Sequence, residues 1–187
     1  MSRQEAEPLV EVQNLRVAFR HGRGKTLTEV VHGVDLRVDP GEVVALVGQS
    51  GSGKSVTARS LVGLVGAQAS VTAERFTVLG QDARKFRESA FQKLRGRGIG
   101  LVLQDALTSL DPLKKVGHEV AEVLRIHRLQ TRSESYETAV RTLDAVGLDR
   151  AELRAQQYSH QLSGGQRQRA LIAAGIAASP RLLIADE

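Results

Sequence analysis

A run of glycines and serines with one lysine, GQSGSGKS at Gly48–Ser55, has the spacing of a loop that binds phosphate. It fits the pattern GxxxxGK[ST], in which backbone N–H groups point inward around a phosphate and the following helix adds its positive end. Lys54 is expected to reach the β- and γ-phosphates of a nucleoside triphosphate, and Ser55 to ligate Mg²⁺. The residues predicted to hold the nucleotide in this phosphate loop are Gly48, Gln49, Ser50, Gly51, Ser52, Gly53, Lys54, Ser55 and Val56.

Two adjacent carboxylates follow an apolar run in RLLIADE, at 181–187. Asp186 is expected to hold Mg²⁺ through water, and Glu187 to orient or deprotonate the attacking water of a nucleotide triphosphatase. Gln104 ends another apolar run, GIGLVLQ, where its amide could contact Mg²⁺ or the same water. Alone, the acid pair is an ordinary end of a strand and Gln104 a surface residue. Together with the phosphate loop they predict triphosphate hydrolysis.

A second glycine-rich segment, LSGGQ at Leu162–Gln166, opens an apolar helix and is named here the signature segment. Ser163, Gly164, Gly165 and Gln166 are predicted to form another cradle for an anion. The simpler interpretation is that Ser163 only caps the helix, but capping does not call for two successive glycines. One γ-phosphate can be gripped from both sides only if the second loop comes from another molecule. The sequence therefore predicts a head-to-tail dimer with two ATP molecules between the subunits.

The elements around these motifs predict an α/β fold. Residues 9–19 and 30–38 alternate apolar and polar side chains, which predicts antiparallel strands. The continuous apolar runs at 43–47, 98–104 and 181–187 predict strands of a buried parallel sheet, while 112–155 has helical spacing. We expect one domain over 1–187: an ATP-binding core of 1–111 and 168–187, with a helical subdomain inserted at 112–167.

Composition limits the possible classes of protein. The 187 residues are 41% hydrophobic and contain no cysteine, which allows a sizeable core and excludes disulfides and thiolate zinc sites. The apolar runs are far shorter than the roughly 20 residues of a membrane-spanning helix, so a membrane role is expected to act through a partner. The net charge is +5, and the basic residues at 84–97 favour a solvated helix face over a nucleic-acid surface, since they lack an aromatic stacking platform.

The phosphate loop, Gln104, the signature segment and RLLIADE, in this order and with a helical insert, resemble the ATP-binding subunit of ABC transporters. The resemblance covers nearly the whole chain from Leu9. It implies a P-loop NTPase core with a parallel sheet, an N-terminal antiparallel β subdomain and an inserted α-helical subdomain. It also implies ATP and Mg²⁺ as cofactors, Phe19 as the aromatic that stacks on adenine, Gln104 as the link to the helical insert, and Glu187 as the catalytic base. Ser55, Gln104 and Asp186 are the implied Mg²⁺ ligands.

A narrower resemblance is carried by LQDALTSLDP at 103–112 and YSHQLSGGQRQR at 158–169. These segments look like the bacterial branch that imports dipeptides, oligopeptides and nickel. The branch implies integral membrane permeases, a second ATP-binding subunit or domain and an extracytoplasmic solute-binding protein as partners, at the cytoplasmic face of the bacterial inner membrane. The family continues beyond the acid pair with a D-loop and a switch histidine, so we expect the sequence to be a piece of a longer subunit with little activity alone.

Two other functions are compatible with a phosphate loop of this kind. The same ATPase core serves proteins that act on nucleic acid or ribosomes, but no long coiled coil and no zinc-binding cysteine are present, so no nucleic acid is expected as a partner. A module that binds nucleotide without hydrolysis is disfavoured by Glu187. The cargo, and whether the second ATPase is a copy, a paralogue or a fused domain, stay open.

Overall fold

The computed structural model describes residues 7–21, 26–103 and 110–186. Gln104 and Glu187 therefore lie outside the described residues. The chain divides into two compact units, one ending at Gln92 and the other beginning at Lys93. The finer division into a core and an inserted helical subdomain stays a prediction.

The first unit is built on two long antiparallel strands, β1 (Val10–His21) and β2 (Thr26–Val38). Val10 pairs with Val38 at one end of the ladder and Phe19 with Thr28 towards the other. The inward side chains of β1 are the apolar members of the alternating pattern, and Val10, Val12, Leu15 and Val17 are all buried. The antiparallel pair predicted from that alternation is confirmed.

The other edge of β1 pairs with two short strands, β3 (Ala69–Thr72) and β4 (Arg75–Val78), and β4 continues the sheet to β5 (Gln81–Asp82). The ladder is interrupted opposite Asn14, which has a left-handed φ of 51°. Its backbone N–H donates to Asp35 Oδ1 at 2.7 Å and its side-chain amide to Glu74 Oε1 at 2.7 Å. These polar contacts replace ladder hydrogen bonds where β3 ends and β4 begins.

Two helices belong to this part of the chain, α1 (Lys54–Ser60) and α2 (Glu88–Leu94), and a 3-10 turn, Ala83–Lys85, comes before α2. α2 buries none of its residues. Arg84 pairs with Asp82 at 2.8 Å and holds the pKa of that carboxyl down at about 2. The basic segment is thus largely a solvated surface, as expected.

The strand predicted at 43–47 is wrong in this structure. Residues 42–49 have no regular secondary structure, and Val43 and Val47 are 95% and 92% exposed. An apolar run is buried as a strand only when neighbouring strands pair with its backbone, and none of the described strands does so here.

The second unit contains a parallel pair, β6 (Ile99–Val102) and β7 (Leu182–Ala185), with Ile99 opposite Leu182 and Val102 opposite Ala185. The prediction that these two apolar runs form strands of a parallel sheet is confirmed. Between the strands the chain is helical, with α3 (Val116–Val120), α4 (Glu122–Ile126), α5 (Arg132–Ala145), α6 (Ala151–Ala155), a 3-10 turn (Ser159–Gln161) and α7 (Gly164–Ile176).

The helices of this unit share one apolar core. Val116 and Val120 of α3, Leu143 of α5, and Ala170 and Ala173 of α7 are buried in it. α5 begins with a reciprocal capping pair, Thr131 and Glu134, which fixes its start. None of the helices that the structure describes is both long and apolar enough to cross a lipid bilayer.

Candidate functional site

The phosphate loop contains two glycines whose backbone conformation disfavours any residue with a side chain. Gly51 and Gly53 have φ values of 81° and 89°, in the left-handed region. A Cβ atom on Gly53 would lie 2.8 Å from the carbonyl oxygen of Val30 and 3.2 Å from Cγ2 of Val31. The loop therefore packs against β2 by direct backbone approach, and its turn into α1 depends on Gly53.

The Lys54 side chain folds back and bonds to the beginning of the phosphate loop. Its Nζ atom donates to the carbonyl oxygens of Gly48 at 2.8 Å and of Gln49 at 2.9 Å. The ammonium group is thus held at the centre of the loop, where phosphate oxygens would meet it together with the backbone N–H groups.

No side chain caps the start of α1, so its backbone N–H groups are accessible to a ligand. Gly53 is the N-cap and provides no side-chain hydrogen bond, and the first turn contains no acidic residue. Further along, Thr57, Ala58 and Ser60 are buried, and the Ser60 hydroxyl donates to the carbonyl of Val56 at 2.7 Å. The buried residues hold α1 against the rest of the fold. Lys54 and Ser55, at its N-terminal end, are only half-buried.

Phe19 lies in β1, the strand that pairs with β2, and the phosphate loop contacts β2. It is half-buried and pairs with Thr28 of β2 on one side and with Ala69 of β3 on the other. Thr28 is two residues along β2 from Val30, which contacts the loop at Gly53. A role for Phe19 in stacking on adenine stays a prediction.

In the signature segment, Ser163 caps α7 in the way that the simpler interpretation expects. The backbone N–H of Gln166 donates to Ser163 Oγ at 3.3 Å, and the N–H of Ser163 donates to Gln166 Oε1 at 2.9 Å. The first bond of the helix backbone runs from the N–H of Arg167 to the carbonyl of Ser163 at 2.9 Å. Leu162, just before the cap, is buried and anchors the segment.

The two glycines between Ser163 and Gln166 are not required by this cap. Both are exposed, neither has a positive φ, and a Cβ on Gly164 would meet nothing within 4 Å. A Cβ on Gly165 would meet only the end of the Arg169 side chain, at 3.9 Å. No acceptor for either N–H group occurs among the hydrogen bonds of the described residues. Small residues with open donors at a helix start suit the close approach of an anionic group from outside the chain.

Asp186 follows β7 at the edge where both parallel strands end. Its backbone N–H donates to the carbonyl of Val102 at 2.9 Å, and the residue is only 9% exposed. Its neighbours in the predicted site, Gln104 and Glu187, lie outside the described residues. Within the described ranges no group of three or more His, Asp or Glu side chains could hold a metal ion.

One contact that the sequence analysis missed joins α7 to β6. A Cβ on Gly100 would overlap the carbonyl oxygen of Gly175, and a Cβ on Gly175 would lie 2.9 Å from Cγ2 of Val102. The only sequence signals are Gly100 in the apolar run GIGLV and Gly175 in AAGIAA. A glycine in such a run suggests close packing but does not identify the partner.

Another feature that the sequence analysis missed is the carboxylate of Glu119 on α3. Its Oε1 atom accepts the backbone N–H of Asp111 at 3.0 Å, while Oε2 is buried with no hydrogen-bond partner among the described residues. Burial raises the pKa of this carboxyl above its usual value, and the hydrogen bond from Asp111 opposes that shift. A glutamate in a short helix normally faces solvent, so nothing in the sequence singles out Glu119.

Comparison with known families and proteins agrees with this arrangement of motifs. The family model described as ABC transporter matches residues 31–187. This chain belongs to that family.

Two relatives have names that refer to peptide uptake. A protein of Brucella melitensis named as a peptide import ATP-binding protein is 45% identical over all of this chain and 56% of its own length. The oligopeptide transport ATP-binding protein AppD of Bacillus subtilis is 41% identical over 96% of this chain and 54% of its own length. The chain thus spans about half the length of the curated relatives it matches.

A solved structure has the same fold. The dimeric post-hydrolysis state of the ATP-binding cassette MJ0796, bound to ADP and Pi, superposes with a TM-score of 0.81 at 26% identity. The superposition covers 95% of this chain and 73% of that one. The predicted ABC ATPase fold is confirmed.

Proposed function

We propose that the chain is the ATP-binding part of a subunit that hydrolyses ATP to drive import of peptides, or of nickel, through partner permeases. The observation that carries this proposal is the phosphate loop, which has Lys54 bonded at its centre and an uncapped helix start beside it. A lysine held beside backbone donors at a helix start suits a ligand with several anionic oxygens.

In this proposal each motif has one chemical role. Residues 48–56 hold the phosphates, and Lys54 neutralises charge on the β- and γ-phosphates. Ser55 and Asp186, with Gln104, would hold Mg²⁺. A hydroxyl, a carboxylate and an amide are the oxygen ligands that this ion prefers. Glu187 orients or deprotonates the attacking water, and Phe19 stacks on the adenine.

The signature segment completes the site of a second ATPase subunit or domain. The open N–H groups of Gly164 and Gly165 support this role, because nothing within the described chain uses them. The dimeric MJ0796 cassette supports the pairing of two such chains by analogy of fold. Two ATP molecules then lie between two such chains, each held by the phosphate loop of one and the signature segment of the other.

The peptide cargo is supported by the names of the two relatives. On this proposal the subunit works at the cytoplasmic face of a bacterial plasma membrane, with integral membrane permeases and, indirectly, an extracytoplasmic solute-binding protein. Neither the relatives nor the described structure favours the nucleic-acid alternative.

The test is a pull-down of the full-length, tagged Glu187→Gln protein from detergent-solubilised cells with ATP, followed by mass spectrometry. We expect integral membrane permeases and a second ATPase in the eluate, because loss of the general base traps the ATP-bound dimer. Adding Lys54→Ala to this protein is the matched control, since it weakens nucleotide binding and should release the second ATPase. Ribosomal or DNA-bound proteins without a permease would contradict the proposal.

A further inference from the structure

A tyrosine hydroxyl in the second unit has a proton that the described chain does not use. The Tyr136 oxygen, on α5, accepts a hydrogen bond from Gln156 Nε2 at 2.5 Å. The orientation of that amide is fixed, because Gln156 Oε1 accepts from Lys115 Nζ at 3.2 Å and a lysine can only donate. Tyr136 therefore cannot donate back to Gln156, and no other acceptor for its O–H group occurs among the hydrogen bonds of the described residues.

The ring that carries this hydroxyl is held in one position. A Cβ atom on Gly117 of α3 would lie 2.9 Å from Cε2 of Tyr136 and 2.8 Å from Cβ of Ala155, so α3, α5 and α6 are in direct contact there. The His118 ring lies beside the tyrosine ring, with centroids 5.1 Å apart and an angle of 45° between the planes. The hydroxyl thus has a fixed location close to the imidazole.

The charged groups around this imidazole are positive. Burial lowers the pKa of His118 below its usual value, and the charges of Arg125, Arg132 and Lys115 lower it further. Among the charges that act on His118 in the described structure, none is negative. The carbonyl of His118 accepts from Arg125 Nη2 at 3.1 Å, while Arg125 Nε is buried without a hydrogen-bond partner among the described residues.

The carboxylates that are close to His118 in the chain are engaged elsewhere. Glu119 accepts the backbone N–H of Asp111, Glu122 pairs with Lys114 at 2.8 Å, and Glu134 accepts at the start of α5. These acids therefore do not neutralise the positive charge beside the imidazole. Like charges held close together repel one another, and a bound anion would remove that repulsion.

The donors in this place fit an anion with several oxygen atoms. Lys115 and Arg132 provide charged N–H groups, Tyr136 provides a neutral O–H group, and His118 provides an N–H group when it takes up a proton. A phosphate group has more acceptor oxygens and a larger charge than a carboxylate, and it pairs well with arginine and lysine. It can therefore use all of these donors together, whereas a carboxylate would leave some of them without an acceptor.

We infer that Lys115, His118, Arg132 and Tyr136, named here the Tyr136 cluster, form a binding site for a phosphate group. The cluster belongs to the second unit, whereas the phosphate loop belongs to the first, so this is a further site. Free inorganic phosphate and the headgroup of an anionic phospholipid share the required chemistry. On binding, a phosphate oxygen accepts the Tyr136 O–H group, and His118 becomes protonated beside the anion.

The test follows the ionisation of His118 by NMR in the full-length protein, with and without inorganic phosphate, at an ionic strength held constant with sodium chloride. The resonances of His32, in the first unit, are the internal reference. The test variants are Tyr136→Phe, which keeps the ring, and Arg132→Gln. Lys54→Ala is the matched control for phosphate bound at the phosphate loop. A second arm measures co-sedimentation with vesicles of phosphatidylglycerol and of phosphatidylcholine.

We expect phosphate to raise the proton affinity of His118 about tenfold, because a neighbouring anion favours the imidazolium. His32 should not respond, and Lys54→Ala should behave as wild type. Tyr136→Phe should weaken phosphate binding about tenfold, as for one hydrogen bond to a charged group, and Arg132→Gln about threefold. If the headgroup is the source, phosphatidylglycerol vesicles should bind wild type more strongly than Tyr136→Phe, and phosphatidylcholine vesicles should bind neither.

Three results would overturn the inference. An equal response of His118 to phosphate and to additional sodium chloride would show that the cluster only attracts counterions. Wild-type affinity in both Tyr136→Phe and Arg132→Gln would show that the bound phosphate lies elsewhere. Failure of both inorganic phosphate and phosphatidylglycerol vesicles to bind would leave the cluster without the proposed ligand.

Discussion

Gly100 of β6 and Gly175 of α7 meet backbone to backbone, so closely that a Cβ on Gly100 would overlap the carbonyl oxygen of Gly175. α7 begins directly after Ser163, and β6 ends at Val102, whose carbonyl binds the N–H of Asp186. The contact therefore fixes the helix of the signature segment against the strand pair that leads to Asp186.

The first prediction concerns this contact. Gly100→Val should destabilise the protein by about 2 kcal/mol, because the new side chain must displace the backbone of α7 rather than a flexible group. The measurement is the free energy of unfolding in urea. Gly164→Ala is the control, since a Cβ there meets nothing within 4 Å and should leave stability unchanged or slightly higher. Equal stability of Gly100→Val and wild type would show that the helix shifts freely.

Lys54→Ala should lower the affinity for ATP by about 10- to 100-fold, the range for loss of a charged hydrogen-bond donor at phosphates. The variant also loses the bonds to the carbonyls of Gly48 and Gln49. Titration calorimetry with Mg-ATP on the full-length protein measures the change. Lys85→Ala, an exposed lysine on the 3-10 turn, is the matched control and should bind ATP as wild type does. Unchanged affinity in Lys54→Ala would remove the phosphate loop from the site.

Gly165→Ala should separate stability from function. Alanine fits the open space and favours a helix, so the free energy of unfolding should rise by up to about 0.5 kcal/mol. ATP-dependent dimerisation should weaken, because in the proposed dimer the methyl group would stand where the partner's phosphate approaches. Thermal unfolding and sedimentation with ATP measure the two effects.

Ser163→Ala is the counterpart to that variant. It removes the side-chain bond to the N–H of Gln166 and should cost about 1 kcal/mol of stability. If Gly165→Ala dimerises as well as wild type, the two glycines have no role in binding and Ser163 is only a cap.

Stability should depend on pH through Glu119. Burial raises the pKa of this carboxyl above its value of 4.5 in the unfolded chain, so the folded protein binds the proton more tightly. Its contribution is complete below pH 4.5 and is lost as the pH rises through the folded pKa. The melting temperature of wild type minus that of Glu119→Gln should therefore fall between pH 4 and pH 8.

Glu152→Gln, at an exposed glutamate of α6, is measured over the same pH range to correct for the general loss of a carboxylate. A difference curve for Glu119→Gln that rises with pH would contradict the assignment of burial as the dominant cause.

Much of the fold follows from local pattern. Alternation along β1 and β2 identifies a half-buried antiparallel pair, and the apolar runs ending at Val102 and Ala185 identify a parallel one. The start of α7 at Gly164 is also readable, because Ser163 and Gln166 form a capping box. Each of these depends on residues close together in the chain.

What the sequence could not supply is the identity of distant partners. The run at 43–47 has the composition of a buried strand, but composition does not say which strand will pair with it, and in this structure none of the described strands does. The approach of Gly100 to Gly175 and the burial of Glu119 also arise from packing between separate elements. In the candidate site, the glycines and Lys54 were predicted by motif, while the bonds that Lys54 makes were not.

Those bonds have a consequence for the timing of ligand binding. Because Nζ bonds to two carbonyls of the loop, residues 48–54 form a closed ring that the chain's own atoms hold together. A triphosphate then meets a preorganised receptor and need not wait for the loop to order, so its capture is expected to be limited by encounter and its release by the strength of the contacts.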